Sequence, residues 1–280
     1  MDDTTPKFIT ASQFSIEELT EAYNQTRVDY MVPMPMNAAR LAEYVDVYDV
    51  DMDKSVVAMN GTGMLGLGML GMRDNRSWIT RLGVLQNRRR GGIGEEICRE
   101  MIKMSDDAGI GLCVLEVIKG NVPAHSLFHK LNFKETRELA IIRRAPNELP
   151  SPPSTEAQWL ERDDALKCLP EREGRQAWTN EEESLKNAEN IFGLRLDMNG
   201  SGSGWLVFQR TMFNLSRVMY KTENGDPAKI MFEMLMQLHS KFPKLDTYIE
   251  NIPVDDPHLA AFMKTGYIEV FRRVEMVRVR

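Results

Sequence analysis

The chain has 280 residues, of which 42% are hydrophobic and 27% charged, and it carries a formal net charge of −6. This balance is typical of globular proteins and excludes a largely disordered chain, and the length suits one large domain or two of ordinary size. The acidic charge argues against a broad nucleic-acid-binding surface, so we expect no nucleic-acid partner. The three cysteines and four histidines match no common zinc motif, so we expect no metal site.

The sequence contains no signals for export or membrane insertion. The N-terminal residues MDDTTPKFIT lack an apolar core, and no run of about 18 apolar residues occurs. Cys98, Cys113 and Cys168 suit a reducing compartment better than a disulfide scaffold. We therefore expect a cytoplasmic protein without a membrane span, and either a monomer or a homodimer.

A proline-rich segment divides the chain near its middle. Residues 145–155 read APNELPSPPST, and the four prolines oppose both a helix interior and a central strand. This pattern predicts an N-terminal domain at 1–146, a linker at 147–155 and a second domain at 156–280.

Hydrophobic periodicity in the first half predicts alternating helices and strands. The predicted elements are helices at 15–23 and 38–48, strands at 55–60, 64–72 and 77–85, a helix from 93 to about 109, a strand at 112–118 and a helix at 124–130. The longest helix carries one apolar stripe, which indicates that it packs on a sheet. A glycine-rich loop precedes that helix.

The second half repeats this order at a constant offset. Adding 134 pairs Val84 with Val218, Gly94 with Ala228, Glu116 with Glu250, Asn121 with Asp255, and Phe133 with Tyr267. A repeat of this length predicts two duplicated domains rather than a solenoid.

The loop from Gln86 to Gly94 reads QNRRRGGIG and lies between a predicted strand and a predicted helix. Free N–H groups and the helix dipole make such a turn suitable for a phosphate. The P-loop and dinucleotide-binding motifs are both absent. A solvated basic turn or an RNA-contacting segment is the alternative interpretation.

Residues 82–94 resemble the V-x-P-x-x-R-x-x-G-x-G motif of the GNAT acyl-CoA N-acyltransferases. Val84, Arg89, Gly92 and Gly94 match it, and Gln86 replaces the frequent proline. The stretch from 115 to 133 also resembles the family's L-E-V-x-x-x-N-x-x-A-x-x-L-Y-x-K-L-G-F pattern. The resemblance implies an α+β or α/β fold of two tandem GNAT-like domains, each a mixed, mostly antiparallel sheet with a central splay and flanking helices.

The resemblance also implies acetyl-CoA as co-substrate, an amine acceptor as partner and no metal. Backbone donors from Arg89 to Gly94 would bind the pyrophosphate, and the Val84 amide would polarise the thioester carbonyl. The cofactor-binding residues that it implies are Val84, Leu85, Arg89, Arg90, Gly91, Gly92, Ile93, Gly94, Asn121 and Phe128.

Two positions bear on catalysis. Glu116 stands where some family members place a carboxylate base, and a purely structural hydrogen-bonding role is the alternative. Phe128 occupies the position of the family's tyrosine acid and cannot donate a proton. Solvent could protonate the leaving thiolate instead, or His125 could replace the tyrosine.

The second copy has lost the features of the loop. Asp226 and Ala228 replace the glycines, Pro227 removes an amide donor and no arginine remains. We therefore expect acetyl transfer to a primary amine of a small molecule or peptide in the first domain only. The alternative is a non-catalytic acyl-CoA-binding sensor or interaction protein.

Overall fold

The computed structural model describes residues 5–61 and 63–280. The chain forms two compact units, the first comprising Met1–Thr136 with Val274–Arg280 and the second Arg137–Arg273. This division differs from the sequence-based boundary at residue 146. The strand from Lys134 to Arg144 pairs through its last residues with a strand of the second unit, so the chain enters that unit before the prolines.

The first unit combines a sheet with four helices among its described residues. Its elements are β1 (Lys7–Thr10), α1 (Ile16–Gln25), α2 (Ala38–Val47), β2 (Val56–Asn60), β3 (Gly63–Arg73), β4 (Arg76–Val84), α3 (Ile93–Asp107), β5 (Leu112–Ile118), α4 (Val122–Lys130), the start of β6 (Lys134–Arg144) and the end of β12 (Ile268–Val279). The strand order is β1-β2-β3-β4-β5, followed by the end of β12. The pairs from β1 to β4 are antiparallel, whereas β4 and β5 run parallel.

Local sequence explains where these helices begin. Ser15 and Glu18 form a reciprocal capping box at the start of α1. Asn37 and Asn121 cap α2 and α4 by accepting hydrogen bonds from backbone N–H groups in the first turn. The predicted apolar stripe of α3 is buried in the core of the unit, which agrees with the sequence periodicity.

The second unit repeats the plan. Its elements are the rest of β6, β7 (Ala157–Leu160), α5 (Arg162–Cys168), α6 (Glu182–Asn187), β8 (Ile191–Asp197), β9 (Gly202–Arg210), β10 (Asn214–Gly225), α7 (Pro227–Lys241), β11 (Asp246–Pro253), α8 (Leu259–Lys264) and the start of β12. The proline-rich residues 145–156 form neither helix nor strand. The predicted fold class, two tandem domains of mixed, mostly antiparallel strands with flanking helices, is confirmed.

The repeat offset holds for the central helix but not for the strand before it. Helix α7 spans the residues of α3 shifted by 134. Each preceding strand carries a bulge with a residue of positive φ, Arg81 in β4 and Arg217 in β10. These residues differ by 136 (217 − 81), so the loop of the second copy is two residues shorter. The prediction that Val84 corresponds to Val218 without a gap is therefore wrong, and Val84 corresponds to Tyr220.

Two further expectations from the sequence concern disulfide bonds and membrane-spanning helices. The three cysteines are buried free thiols. Among the described residues, the helices lack the combination of length and apolar character that crossing a membrane requires.

Candidate functional site

The centre of the site is a cleft between two strands of the first unit. Strands β4 and β5 pair only from Arg76 opposite Leu112 to Trp78 opposite Val114, and they separate beyond that point. Val84 at the end of β4 and Ile118 at the end of β5 therefore lie on opposite sides of an opening in the sheet. The predicted central splay is present.

A bulge bends β4 as it leaves β5. Two residues of β4, Arg81 and Leu82, stand opposite one residue of β3, and Arg81 adopts a φ of 53°. The guanidinium of Arg81 lies 4.1 Å above the Tyr44 ring centroid, and its Nη1 donates to the Tyr23 hydroxyl at 3.0 Å. The bulge thereby directs a cation of β4 towards the aromatic side chains of α1 and α2.

The loop after β4 presents a run of backbone donors. None of the N–H groups from Arg90 to Gly94 has an acceptor among the residues that the structure describes. Arg90 and Gly92 have φ values of 65° and 84°, so the backbone turns sharply before α3 begins at Ile93, as in loops that form anion-binding concavities. An anion at this helix N-terminus would receive several hydrogen bonds and the favourable end of the helix dipole.

The side chain of Arg89 organises the loop. Its Nε donates to the Val84 carbonyl at 3.1 Å and one Nη to the Thr26 carbonyl at 3.1 Å. Both Nη atoms also bind the Asp29 carboxylate at 2.7 Å, and these bonds lower the pKa of Asp29. Arg89 therefore joins the loop to the end of α1, in addition to the phosphate role that the resemblance implied for it.

Close packing at the end of β4 also depends on a glycine. A Cβ atom on Gly83 would lie 2.2 Å from the Thr26 hydroxyl oxygen, which is far inside van der Waals contact. The end of α1 thus lies directly against the end of β4. Leu85 continues the strand, because its N–H donates to the Leu65 carbonyl at 2.9 Å.

Glu116 lies on β5 just beyond the point where the strands separate. Its Oε2 accepts a hydrogen bond of 2.7 Å from the indole Nε1 of Trp78. Tyr44 packs against Trp78 with ring centroids 5.9 Å apart and shares a 2.5 Å hydrogen bond with the Thr80 hydroxyl. Burial raises the pKa of Tyr44 well above its usual range, so this phenol stays protonated at neutral pH.

The remaining predicted residues lie on α4. Asn121 caps the helix, since its Oδ1 accepts from the Ala124 N–H at 3.3 Å. Phe128 is buried in the core with its ring centroid 5.9 Å from that of Phe133. His125 is partly exposed and has its Nδ1 3.5 Å from a Glu135 carboxylate oxygen.

Sequence reasoning missed four contributors to this site: Asp29, Tyr44, Trp78 and Arg81. Each acts through a contact with a residue distant in the chain. The residue spacing within the glycine-rich motif gives no information about such contacts. The aromatic residues of α2 and Trp78 are the sequence signals that could have indicated the wall beside Glu116, which is formed by Tyr44, Trp78 and Arg81.

The second unit keeps the strand separation but closes it with its own side chains. Strands β10 and β11 pair only at their first residues. The hydroxyl of Tyr220, the counterpart of Val84, then donates to Asp256 beyond β11 at 3.0 Å. At the start of α7, the Asp226 carboxylate accepts from the Lys229 N–H at 2.8 Å, and Pro227 offers no N–H. The second unit therefore has a side-chain hydrogen bond beyond the separated strands, and a carboxylate at the start of α7 where the first unit has free N–H groups.

Comparison with protein families finds a match to the model described as "Acetyltransferase (GNAT) family" over residues 16–133. The match contains both the glycine-rich loop and Glu116. No curated protein matches the sequence significantly.

Solved structures extend the likeness over the whole chain. A GCN5-related N-acetyltransferase from Sphaerobacter thermophilus aligns with a TM-score of 0.73 at 11% identity, over 98% of this chain and 95% of that one. A tandem GNAT protein from the clavulanic acid biosynthesis pathway aligns with a TM-score of 0.67 at 10% identity, over 98% of each chain. At 10–11% identity these similarities establish the fold alone.

Proposed function

Residues 16–133 form a domain of the GNAT acetyltransferase family within a chain that has the family's tandem fold, and on this premise we propose that the first unit transfers acetyl from acetyl-CoA to a primary amine of a small molecule or peptide. The run of N–H groups from Arg90 to Gly94 carries this proposal. A pyrophosphate is the anion that would use several such donors at once.

The cleft is suited to the rest of the co-substrate. Strands β4 and β5 are unpaired beyond Trp78 and Val114, and we place the pantetheine arm between them, from the glycine-rich loop towards Glu116. Val84 and Leu85 are half-buried at the edge of the cleft, where an acyl chain would lie. A thioester supplies an activated acyl carbonyl, so the protein needs only to orient it and to manage protons.

Glu116 is the proposed base. Its carboxylate would take a proton from the acceptor ammonium, directly or through water, and so free the lone pair of the nitrogen. That lone pair then attacks the thioester carbonyl, the C–N bond forms, the C–S bond breaks and sulfur leaves with the bonding electrons as a thiolate. The second proton of the attacking nitrogen passes to solvent, which leaves a neutral amide. The hydrogen bond from Trp78 fixes the direction of the carboxylate.

Solvent is the proposed proton source for the leaving thiolate. A thiol has a reference pKa of about 8.5, so the thiolate is a tolerable leaving group near neutral pH. Phe128 has no proton to give, and His125 is engaged with Glu135 and packs against His129. A dedicated acid on α4 is not needed.

The wall beside Glu116 provides the proposed acceptor site. Tyr44 packs against both Trp78 and Arg81 there. Because the two rings are buried, they would keep the wall rigid, while the partly exposed Arg81 would present a fixed cation to the acceptor.

One observation favours a second function. Phe128 replaces the tyrosine of the family pattern and is buried in the core. A protein that binds acetyl-CoA without turning it over would tolerate this replacement, which supports a sensor or interaction protein as the alternative.

Calorimetric titration with acetyl-CoA, followed by a thiol-release assay over a panel of primary amines, tests both functions. Saturable binding with thiol release for at least one amine is the expected result. Binding without release for any amine would support the sensor, and absence of binding would overturn both functions.

A further inference from the structure

A cluster of metal-ligating side chains lies on the first unit, on α4 and at the start of β6. It consists of His125, His129 and Glu135, and neither the loop nor Glu116 contributes to it. The two histidines are four residues apart on one helix, so both rings project from the same face. Glu135 follows the turn after the helix and points back at them.

The distances within the cluster are those that a small cation requires. The Nε2 of His129 lies 3.1 Å from Oε1 of Glu135, and the Nδ1 of His125 lies 3.5 Å from the same oxygen. All the candidate ligand atoms lie within 4.8 Å of one another. Ligands about 2.0–2.1 Å from a tetrahedral zinc ion are separated by about 3.3 Å, so two of the three spacings already fit.

The exposure and the chemical type of these three side chains also favour a bound cation. About half of the side-chain surface of His129 and Glu135 is open to solvent, 48% and 50%, so an ion can enter without rearrangement of the core. Two imidazoles and one carboxylate are a donor set that zinc and similar ions prefer, and water can complete the coordination. We propose that His125, His129 and Glu135 bind one divalent transition-metal ion, with zinc as the reference ion, and that the ion joins α4 to β6.

The duplicate lacks this donor set. The counterparts at the repeat offset are Leu259, Met263 and Glu269, and Glu269 instead binds Arg272. The second unit therefore supplies a matched control at the same position of the repeat.

Zinc and cobalt(II) titrations of the full chain, stripped of metal by a chelator, test the proposal. Zinc binding is measured by calorimetry, and cobalt binding by the visible absorption of tetrahedral cobalt. We expect one saturable equivalent per chain. His129→Gln and Glu135→Gln should each weaken binding about tenfold or more, because even loss of a partner outside the coordination shell typically costs 10–100-fold. Glu269→Gln should bind as the unaltered protein does.

Circular dichroism and the melting temperature of the metal-free variants establish that each is folded. The proposal is overturned if the unaltered chain shows no saturable equivalent. It is equally overturned if folded His129→Gln and Glu135→Gln bind zinc as tightly as Glu269→Gln does.

Discussion

At the scale of single residues, a substitution at Glu116 can keep the side chain oriented by Trp78 and yet remove its ability to accept a proton. Glutamine at position 116 keeps the acceptor for the indole N–H but cannot take a proton at neutral pH. We expect Glu116→Gln to reduce kcat/KM for acetyl transfer by about 10²- to 10⁴-fold while the affinity for acetyl-CoA is retained. Steady-state rates and calorimetry measure the two quantities.

The duplicate again provides the control for this substitution. Glu250 occupies the equivalent position and pairs with Arg273 at 2.7 Å, so Glu250→Gln should leave acetyl transfer unchanged. If the Glu116→Gln rate equalled that of the unaltered protein from about pH 6 to about pH 9, Glu116 would not be the base.

Gly92 is a position where a single residue is expected to decide the binding of acetyl-CoA. It has a φ of 84° beside the proposed phosphate, and an added Cβ would meet no atom within 4 Å. We expect Gly92→Asp to abolish acetyl-CoA binding, because it combines an unfavourable φ with a carboxylate next to an anion. Gly92→Ala carries only a conformational cost of about 1–2 kcal/mol and should weaken binding about 5–30-fold in calorimetry.

A reciprocal change in the second unit checks this interpretation. Asp226→Gly removes the carboxylate that caps α7, but Pro227 still lacks an N–H and Tyr220 still crosses the opening. We expect the number of acetyl-CoA sites to stay at one per chain. A second acetyl-CoA site in this variant would contradict the interpretation that Pro227 and Tyr220, as well as the charge of Asp226, prevent binding in the second unit.

At the scale of elements, Arg89 determines how the loop is held against α1. Lysine at this position keeps the positive charge but cannot form the paired bonds to Asp29 or reach both backbone carbonyls. We expect Arg89→Lys to weaken acetyl-CoA binding about two- to fivefold, since exposed ion pairs contribute little individually. Faster hydrogen exchange in the first turn of α3 should accompany the loss.

Arg88 is the neighbouring control, since it is an exposed arginine of the same loop. Arg88→Ala should affect affinity less than Arg89→Lys does. Because Arg89 lowers the pKa of Asp29, the attachment to α1 is fully present above the usual carboxyl pKa of about 3.9 and is lost only as pH falls through the lowered pKa. If both arginine variants had the same affinity, Arg89 would act only as a surface charge.

At the scale of the whole molecule, the last residues of the chain complete the first unit. Met276 is fully buried in its core, and Arg278 binds Asp106 of α3. We expect Met276→Ala to reduce the free energy of unfolding of the first unit by about 2–5 kcal/mol. Val279 on the same strand is 73% exposed, so Val279→Ala should change stability by no more than about 0.5 kcal/mol.

Denaturant unfolding, with hydrogen exchange of α3 as the probe for the first unit, measures both effects. Equal stability of the two variants would show that the final strand contributes nothing to the first unit. A fragment that ends near residue 146 should also fold poorly, because it lacks Val274–Arg280.

Local chemistry determined much of this protein directly from its sequence. The starts of α1 and α2, the apolar stripe of α3 and the glycine-rich loop depend on residues within a few positions of one another, so periodicity and motif spacing predict them. The repeat of α3 in α7 follows from the same periodicity.

Only the tertiary structure decided which distant residues meet. The Trp78 bond to Glu116, the attachment of Arg89 to Asp29 and the return of the last strand to the first unit join segments that no local pattern links. The hydrogen bond from Tyr220 to Asp256 could not be predicted from the sequence either. The bulge at Arg217 shifts the register of β10, so that Tyr220 and not Val218 corresponds to Val84. Spacing along a chain records neighbours within a helix or strand, whereas contacts between strands depend on the register and topology of the complete fold.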